Sequence, residues 1–183
     1  MIDGKKLLEL IKSRQSDRKY SERPIEKEKL ERIVEAGRMA PSACNAQPWK
    51  FIVVTETDLL AKLAEASSAK LLGMNEFAGQ APAMLVVIRE QANLTSRIGA
   101  QIKRKDYSLI DIGIASENIC LQAEAEGLGS CMLGWFDEEK VRKTLGVPKY
   151  KRVELIITLG YSLSEKREKR RKPSEVTVSY NKY

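Results

Sequence analysis

Two short clusters hold the residue types from which a site could be built. Arg14, Gln15, Ser16, Asp17 and Arg18 follow directly on an amphipathic pattern. Residues 40–51 read Ala-Pro-Ser-Ala-Cys-Asn-Ala-Gln-Pro-Trp-Lys-Phe. In the first cluster, two guanidiniums and a hydroxyl suit a phosphate, gripped by charge-assisted and partly bidentate hydrogen bonds. In the second, a turn-forming Pro-Ser pair, the amides of Asn45 and Gln47 and a Pro-Trp step offer backbone donors, side-chain amides and an aromatic wall. Such a loop suits a ligand with both polar and flat parts. Equally informative is what is missing. The chain has no histidine, which removes Ser-His-Asp and Cys-His nucleophile schemes and the commonest general base. An enzyme of this composition uses other groups or borrows its chemistry from a cofactor. The formal charge of +7 invites an anionic partner: a phosphate-bearing cofactor, an anionic substrate or nucleic acid.

The elements that position these clusters follow from periodicity. Residues 5–13, with Leu7, Leu8, Leu10 and Ile11, predict an amphipathic helix, and residues 26–39 a second one that Pro41 stops. Residues 49–54 read as a strand, 55–72 as a helix and the apolar run 83–88 as another strand. Residues 94–106 are polar and ambiguous. A long helix is expected over 107–126 with Gly127 as its stop, then a short strand over 130–133. Asp137 caps a helix ending near Leu145, with Gly146 beyond it, and 153–160 is again strand. After the basic stretch 165–172, residues 176–180 alternate as a strand would. The order of elements predicts one α+β domain over 1–183, with helices on both faces of a sheet. Its 43% hydrophobic and 31% charged residues describe a soluble globular chain. The apolar runs are too short to span a membrane. Residues 1–20 lack the apolar core of a secretory signal. Cys44, Cys120 and Cys131 cannot all pair and have no metal-ligand spacing, so a reducing cytoplasm and no metal are expected.

The Arg-x-Ser-x-Arg cluster, the helix after it and the Pro-Ser-x-x-Asn-x-Gln-Pro-Trp loop together resemble the opening of the nitroreductase family of flavin enzymes. The resemblance continues through Asn75 before the Ala81–Pro82 step, the segment Gly127-Leu128-Gly129-Ser130-Cys131-Met132-Leu133-Gly134-Trp135-Phe136, and the pair Lys169 and Arg171 before Pro173. It implies a central, mostly antiparallel sheet flanked by helices, in an intertwined homodimer that exchanges its C-terminal strand. It also implies FMN as cofactor, with NADH or NADPH as reductant. Arg14, Ser16, Arg18, Lys169 and Arg171 would hold the phosphate. Gln15, Asn45 and Asn75 would make polar contacts to the ribityl chain or ring edge. At Leu133, Gly134 and Trp135, backbone donors near Gly134 and Trp135 would face flavin N5 and O4, and no catalytic side chain is needed because N5 carries the hydride. Pro41, Ser42 and Ala43 would contact the flavin of the other subunit, and a substrate lid would come from residues 66–77 or 94–107. One departure stands out. Trp135 occupies a position that is often small, where it would narrow the pocket or point into the core.

Each mark taken singly has an ordinary explanation. A basic cluster after a helix complements its dipole, Asn75 is a helix-end amide, Gly134 ends a strand, and a run such as 166–172 is solvated. Trp49 reads as core, and nothing marks Cys44 as a low-pKa thiol. The ordered set favours an FMN-dependent NAD(P)H oxidoreductase of nitroaromatics, quinones or related electron-poor compounds by ping-pong hydride transfer. Two alternatives remain. One is a specialised flavin relative that cleaves flavin, removes halide or carries flavin; the other is a basic nucleic-acid-binding module, against which stand the low aromatic content of 6% and the lack of a known motif.

Overall fold

A computed structural model describes residues 3–68, 74–91 and 105–183. Helix α1, Gly4–Ser13, starts where the Asp3 carboxylate accepts from Lys5 N. Its apolar side chains Leu7, Leu8 and Ile11 stay exposed, and none of its residues is buried. Helix α2, Lys27–Arg38, leads through a turn at Ala43–Asn45 to strand β1, Trp49–Val54, and helix α3, Thr57–Ser67. Strand β2, Ala83–Arg89, precedes the long helix α4, Tyr107–Ala125. Strand β3, Gly129–Leu133, helix α5, Glu138–Leu145, and strand β4, Arg152–Gly160, complete the core, and a single turn, α6, spans Ser174–Thr177.

The strands lie in the order β1-β2-β4-β3, every pairing antiparallel. Strand β2 explains this centrality. Its residues are apolar without alternation, as a strand covered on both faces must be. Ala83, Leu85 and Val87 pack with α2 and α4 through Leu30, Ile33, Ile112 and Ile119. Met84, Val86 and Ile88 pack with α3 and α5 through Leu63, Ala66 and Val141. These two cores, one on each face, fix the helices that carry the candidate residues.

The predicted strands 49–54, 83–88, 130–133 and 153–160 lie where the sequence puts them, to within a residue at each end. Gly127 ends α4 at a φ of 76°, a left-handed turn that glycine adopts without strain. Three expectations need correction or fall outside the description. The third helix begins at Thr57, because Glu56 is extended, and leaves helical geometry at Ser68; residues 69–73 lie outside the described set. Residues 94–104, all but the last two of the ambiguous polar stretch, also lie outside it. The predicted strand at 176–180 is absent from the isolated chain. Residues 174–177 form a helical turn behind Pro173, and Val176, Val178 and Tyr180 are exposed. Alternation makes a strand only where a neighbouring strand supplies the ladder, and among the described residues none lies alongside.

Candidate functional site

The backbone leaves α1 at Arg14 and turns extended, so the next residues run beside the sheet. Ser16 bridges Ser130 of β3 in parallel, and Asp17 N donates to Ser130 O at 2.9 Å. Tyr20 bridges Ser162 beyond β4, and its hydroxyl bonds Asp17 O and Thr158 Oγ1 at 2.8 Å each. Burial drives the Tyr20 phenol far above its ordinary range, so it stays neutral. Gly129 is what permits this approach. A Cβ there would stand 2.7 Å from the Asp17 carboxylate.

The C-terminal basic stretch returns across the same segment. Lys166 Nζ donates to Ser13 O at 3.2 Å, Lys169 Nζ to Ile11 O, and Arg167 Nη2 to Ser16 O at 2.8 Å. Cations here meet the carbonyls that a helix C-terminus leaves unpaired. Between the two strands of chain opens a cleft of about 680 Å³, with Arg14, Gln15, Ser16 and Arg18 on one wall and residues 167–171 on the other. Six cationic side chains (Arg14, Arg18, Arg167, Lys169, Arg170, Arg171) line it against one carboxylate, Glu168. Among the described residues, the buried Arg14 Nε has no hydrogen-bond partner, although it pairs with the Glu117 carboxylate at 3.5 Å. Burial, then the neighbouring charges of Arg14 and Arg171, lower the pKa of Lys169. A phosphate seated here would satisfy the orphan donor and relieve the repulsion. The residues present therefore fit the phosphate end of a cofactor such as FMN.

A second group joins this wall through Phe77, whose ring lies 6.0 Å below the Arg18 guanidinium. Asn75, in left-handed geometry at φ 60°, donates through Nδ2 to Ser67 O and to Trp135 O, both at 3.1 Å. It thereby fixes the end of α3 against the chain leaving β3. Leu133 is buried in the core, so any ligand contact it makes is through backbone. Gly134 is exposed, and the Trp135 side chain is 58% exposed. The indole thus points away from the core, which settles one of the two orientations left open by the sequence.

The loop with Pro41, Ser42, Ala43 and Asn45 is not among the lining of the cleft. It is nevertheless tightly shaped. Cys44, Asn45 and Gln47 all have φ near 50°, a conformation that costs most side chains about 1–2 kcal/mol and asparagine less. Several bonds hold it: Ala43 N donates to both oxygens of the buried Asp111 on α4, at 3.1 and 3.2 Å. Gln47 N donates to Ser42 Oγ at 2.9 Å, and Gln47 Nε2 to Asn45 Oδ1 at 3.1 Å. Trp49 is core, stacked on Phe51. Of the cysteines, none forms a disulfide; Cys44 is exposed, while burial raises Cys120 to about 11 and also raises Cys131.

The structure thus gathers Arg14, Gln15, Ser16, Arg18, Lys169 and Arg171 into one cleft and sets Asn75 and Trp135 together beside it. Arg167 and Asp111 are two residues that sequence reasoning missed. Arg167 was hidden among equivalent cations, whereas Asp111 carried a signal: a carboxylate inside the weakly polar stripe of a long helix. Among the described residues there is no cluster of side chains suited to a metal, and no helix long and apolar enough to cross a membrane.

Comparison with known proteins adds to this geometry. Residues 11–161 match the sequence model of the nitroreductase family. A protein of Archaeoglobus fulgidus, named provisionally as an NADH dehydrogenase/NAD(P)H nitroreductase, is 34% identical over 165 residues, covering 87% of each chain. The oxygen-insensitive NADPH nitroreductase of Helicobacter pylori is 27% identical, over 98% of each. Among solved structures, an FMN-dependent nitroreductase from Clostridium difficile superposes with a TM-score of 0.79 at 31% identity, covering 96% of this chain and 99% of that one.

Proposed function

Because the chain belongs to the nitroreductase family, and is on that ground an NAD(P)H-dependent oxidoreductase, we propose that it works through FMN and reduces nitroaromatics, quinones or similar electron-poor molecules. The observation that carries the cofactor assignment is the cationic cleft, with a buried Arg14 Nε that pairs with Glu117 at 3.5 Å but makes no hydrogen bond among the described residues. When bound, FMN supplies hydride chemistry that no side chain of this protein needs to perform.

The chain's own task is binding and orientation. Arg14, Ser16, Arg18, Lys169 and Arg171 hold the phosphate. Both N–H groups of the Asn75 amide are engaged, which leaves Oδ1 to accept from a ribityl hydroxyl or the ring. Backbone N–H groups at Gly134 and Trp135 place donors where reduction builds negative charge, in the manner of an oxyanion hole. NADH or NADPH and then the acceptor use one open face in turn, so stacking at about 3–3.5 Å does the selecting. The bulky, exposed indole of Trp135, at a position that is often small in the family, supports a second reading, a specialised flavin enzyme with its own acceptor.

The protein acts as a homodimer in this reading. Exposed Leu7, Leu8 and Ile11 on α1, with Leu109, Ile110 and Ile114 on α4, are apolar faces that a second copy would cover. Pro41, Ser42 and Ala43 of one subunit then reach the flavin held by the other. The tail 176–180 pairs with the partner's sheet by strand addition, where β1 is an edge strand in the isolated chain. Purified protein should be yellow and should bleach anaerobically on addition of NADH or NADPH, with turnover of a quinone or nitro compound. Colourless protein that FMN cannot reconstitute would overturn the cofactor assignment.

A further inference from the structure

Gln15 lies inside the proposed phosphate-binding cluster and was expected to touch the ribityl chain or the ring edge. Its hydrogen bonds assign it differently. The side chain is buried, and its amide offers two N–H donors and an oxygen with two acceptor positions. Nε2 donates to Asp17 Oδ1 at 2.9 Å and to Glu165 O at 3.0 Å. Oε1 accepts from Arg167 N at 3.0 Å and from Arg167 Nε at 3.4 Å. Every hydrogen-bonding position of the amide is occupied, so none is left for a ligand. Three of the four bonds cross to residues about 150 positions along the chain, and all of those fall at the start of the basic stretch.

The fourth bond shows what anchors the clasp. Asp17 is fully buried and seated against Gly129, and its Oδ1 also accepts from Ser162 Oγ at 2.7 Å. Ser162 Oγ in turn accepts from Ser164 N at 3.1 Å, one residue before Glu165. The network therefore runs from the sheet, through a buried carboxylate, to the backbone of the strap that carries Arg167, Lys169 and Arg171 over the cleft.

We infer that Gln15 is a positioning residue: with Asp17 it clasps residues 165–167 so that the cations of the strap face the cofactor phosphate, and it does not itself contact the cofactor. The clasp is a property of the apoprotein, while its consequence for affinity rests on the FMN reading. Without it the strap keeps only side-chain contacts made by flexible lysine and arginine stems, which hold geometry poorly.

The test compares wild type, Gln15→Leu and Arg167→Pro, the last leaving the Gln15 side chain in place but removing both bonds it accepts from Arg167, together with that cation of the cleft. Hydrogen exchange of the apoproteins should rise about tenfold or more over residues 165–171 in both variants, with exchange of the β2 and β4 amides unchanged. FMN dissociation constants should rise by roughly tenfold, since loss of the part-buried hydrogen bonds between Gln15 and the strap frees the wall that carries Lys169 and Arg171. In Gln15→Leu, which removes no cation, the logarithmic slope of affinity against salt should also flatten, because fewer strap cations meet the phosphate. The bound flavin's spectrum in Gln15→Leu should match wild type, and the double variant should bind no worse than the weaker single one. Unchanged exchange over 165–171 in Gln15→Leu overturns the clasp, whether or not any protein binds FMN. So does an altered flavin spectrum with additive losses in the double variant, the signature of direct contact. Wild type that fails to bind FMN would overturn the cofactor reading, and the exchange data would still decide the clasp.

Discussion

The cationic cleft and the Pro-Ser loop are both built from short polar clusters, yet the chain treats them in opposite ways. The cleft is closed by contacts between residues about 150 positions apart, and its cations already converge on one space. The loop is closed by local bonds among residues 42–47 and by one long-range anchor, Asp111. It carries three left-handed residues, yet it lines no part of the cleft. Left-handed residues held in place by such bonds mark the loop as a candidate for a functional role. The difference is that the cleft is assembled within one chain, whereas the loop lines no part of it; under the proposed homodimer the loop would serve the partner's cleft.

Breaking the cleft should have the largest effect. Arg14→Ala removes charge-assisted hydrogen bonds worth about 1.5–3 kcal/mol, so FMN should bind roughly 10–100-fold more weakly by fluorescence titration. Its thermal stability should barely move, because Arg14 is not part of either core. An unaltered dissociation constant would detach this cleft from the cofactor.

Breaking the loop's anchor should reverse that signature. Asp111→Ala leaves the Ala43 N–H without its acceptor, a loss of about 1–3 kcal/mol that should appear as a lower midpoint in urea. FMN affinity should fall less than tenfold, and the phosphate contribution, read from salt dependence, should stay as in wild type. A salt slope that changed would mean the loop shapes the cleft within one chain.

The smallest effect concerns the packing of α2 on α4 at the end away from the loop's Asp111 anchor, where Arg32 of α2 grips Glu126 at the C-terminal end of α4 through two bonds of 2.7 Å. That pairing, aided by Gln122, lowers the Glu126 pKa from 4.5 to about 2. A carboxylate held low in the folded state contributes stability that is present above its ordinary pKa and lost as pH falls toward the folded value. Stability should therefore decline modestly between about pH 4.5 and 2 from this pair, and Glu126→Gln should flatten that limb in acid titrations followed by circular dichroism. Because the pair is near the surface, the gain at neutral pH is small.

Much of this was legible in the chain. Strand β1 announces itself as an apolar run opened by Pro48 and Trp49, and α5 by the Asp137 cap and Gly146, because such signals are local. Of the cations that line the cleft, Arg14 and Arg18 were legible by type and spacing, and Lys169 and Arg171 through the family resemblance. What was not legible depends on distant contacts. Gln15 reads as a ligand amide until Glu165 and Arg167 arrive to saturate it. Trp135 fits core or surface equally well until the tie from Asn75 fixes its backbone and leaves its side chain outside. The tail 176–180 carries a strand pattern that a single chain leaves unpaired, since the pattern encodes a face and not a partner.

Complementation between two damaged subunits tests most directly the claim that one cofactor site is assembled from the cleft of one chain and the loop of another. One subunit would carry Arg14→Ala with Arg18→Ala; its differently tagged partner would carry Asp111→Ala with Pro41→Gly. The purified heterodimer is titrated with FMN. Assembly across subunits predicts one site per dimer with wild-type affinity, since one cleft and one loop remain intact and face each other, while both variant homodimers bind weakly. A heterodimer with no wild-type site would contradict it, placing cleft and loop in the same chain's site.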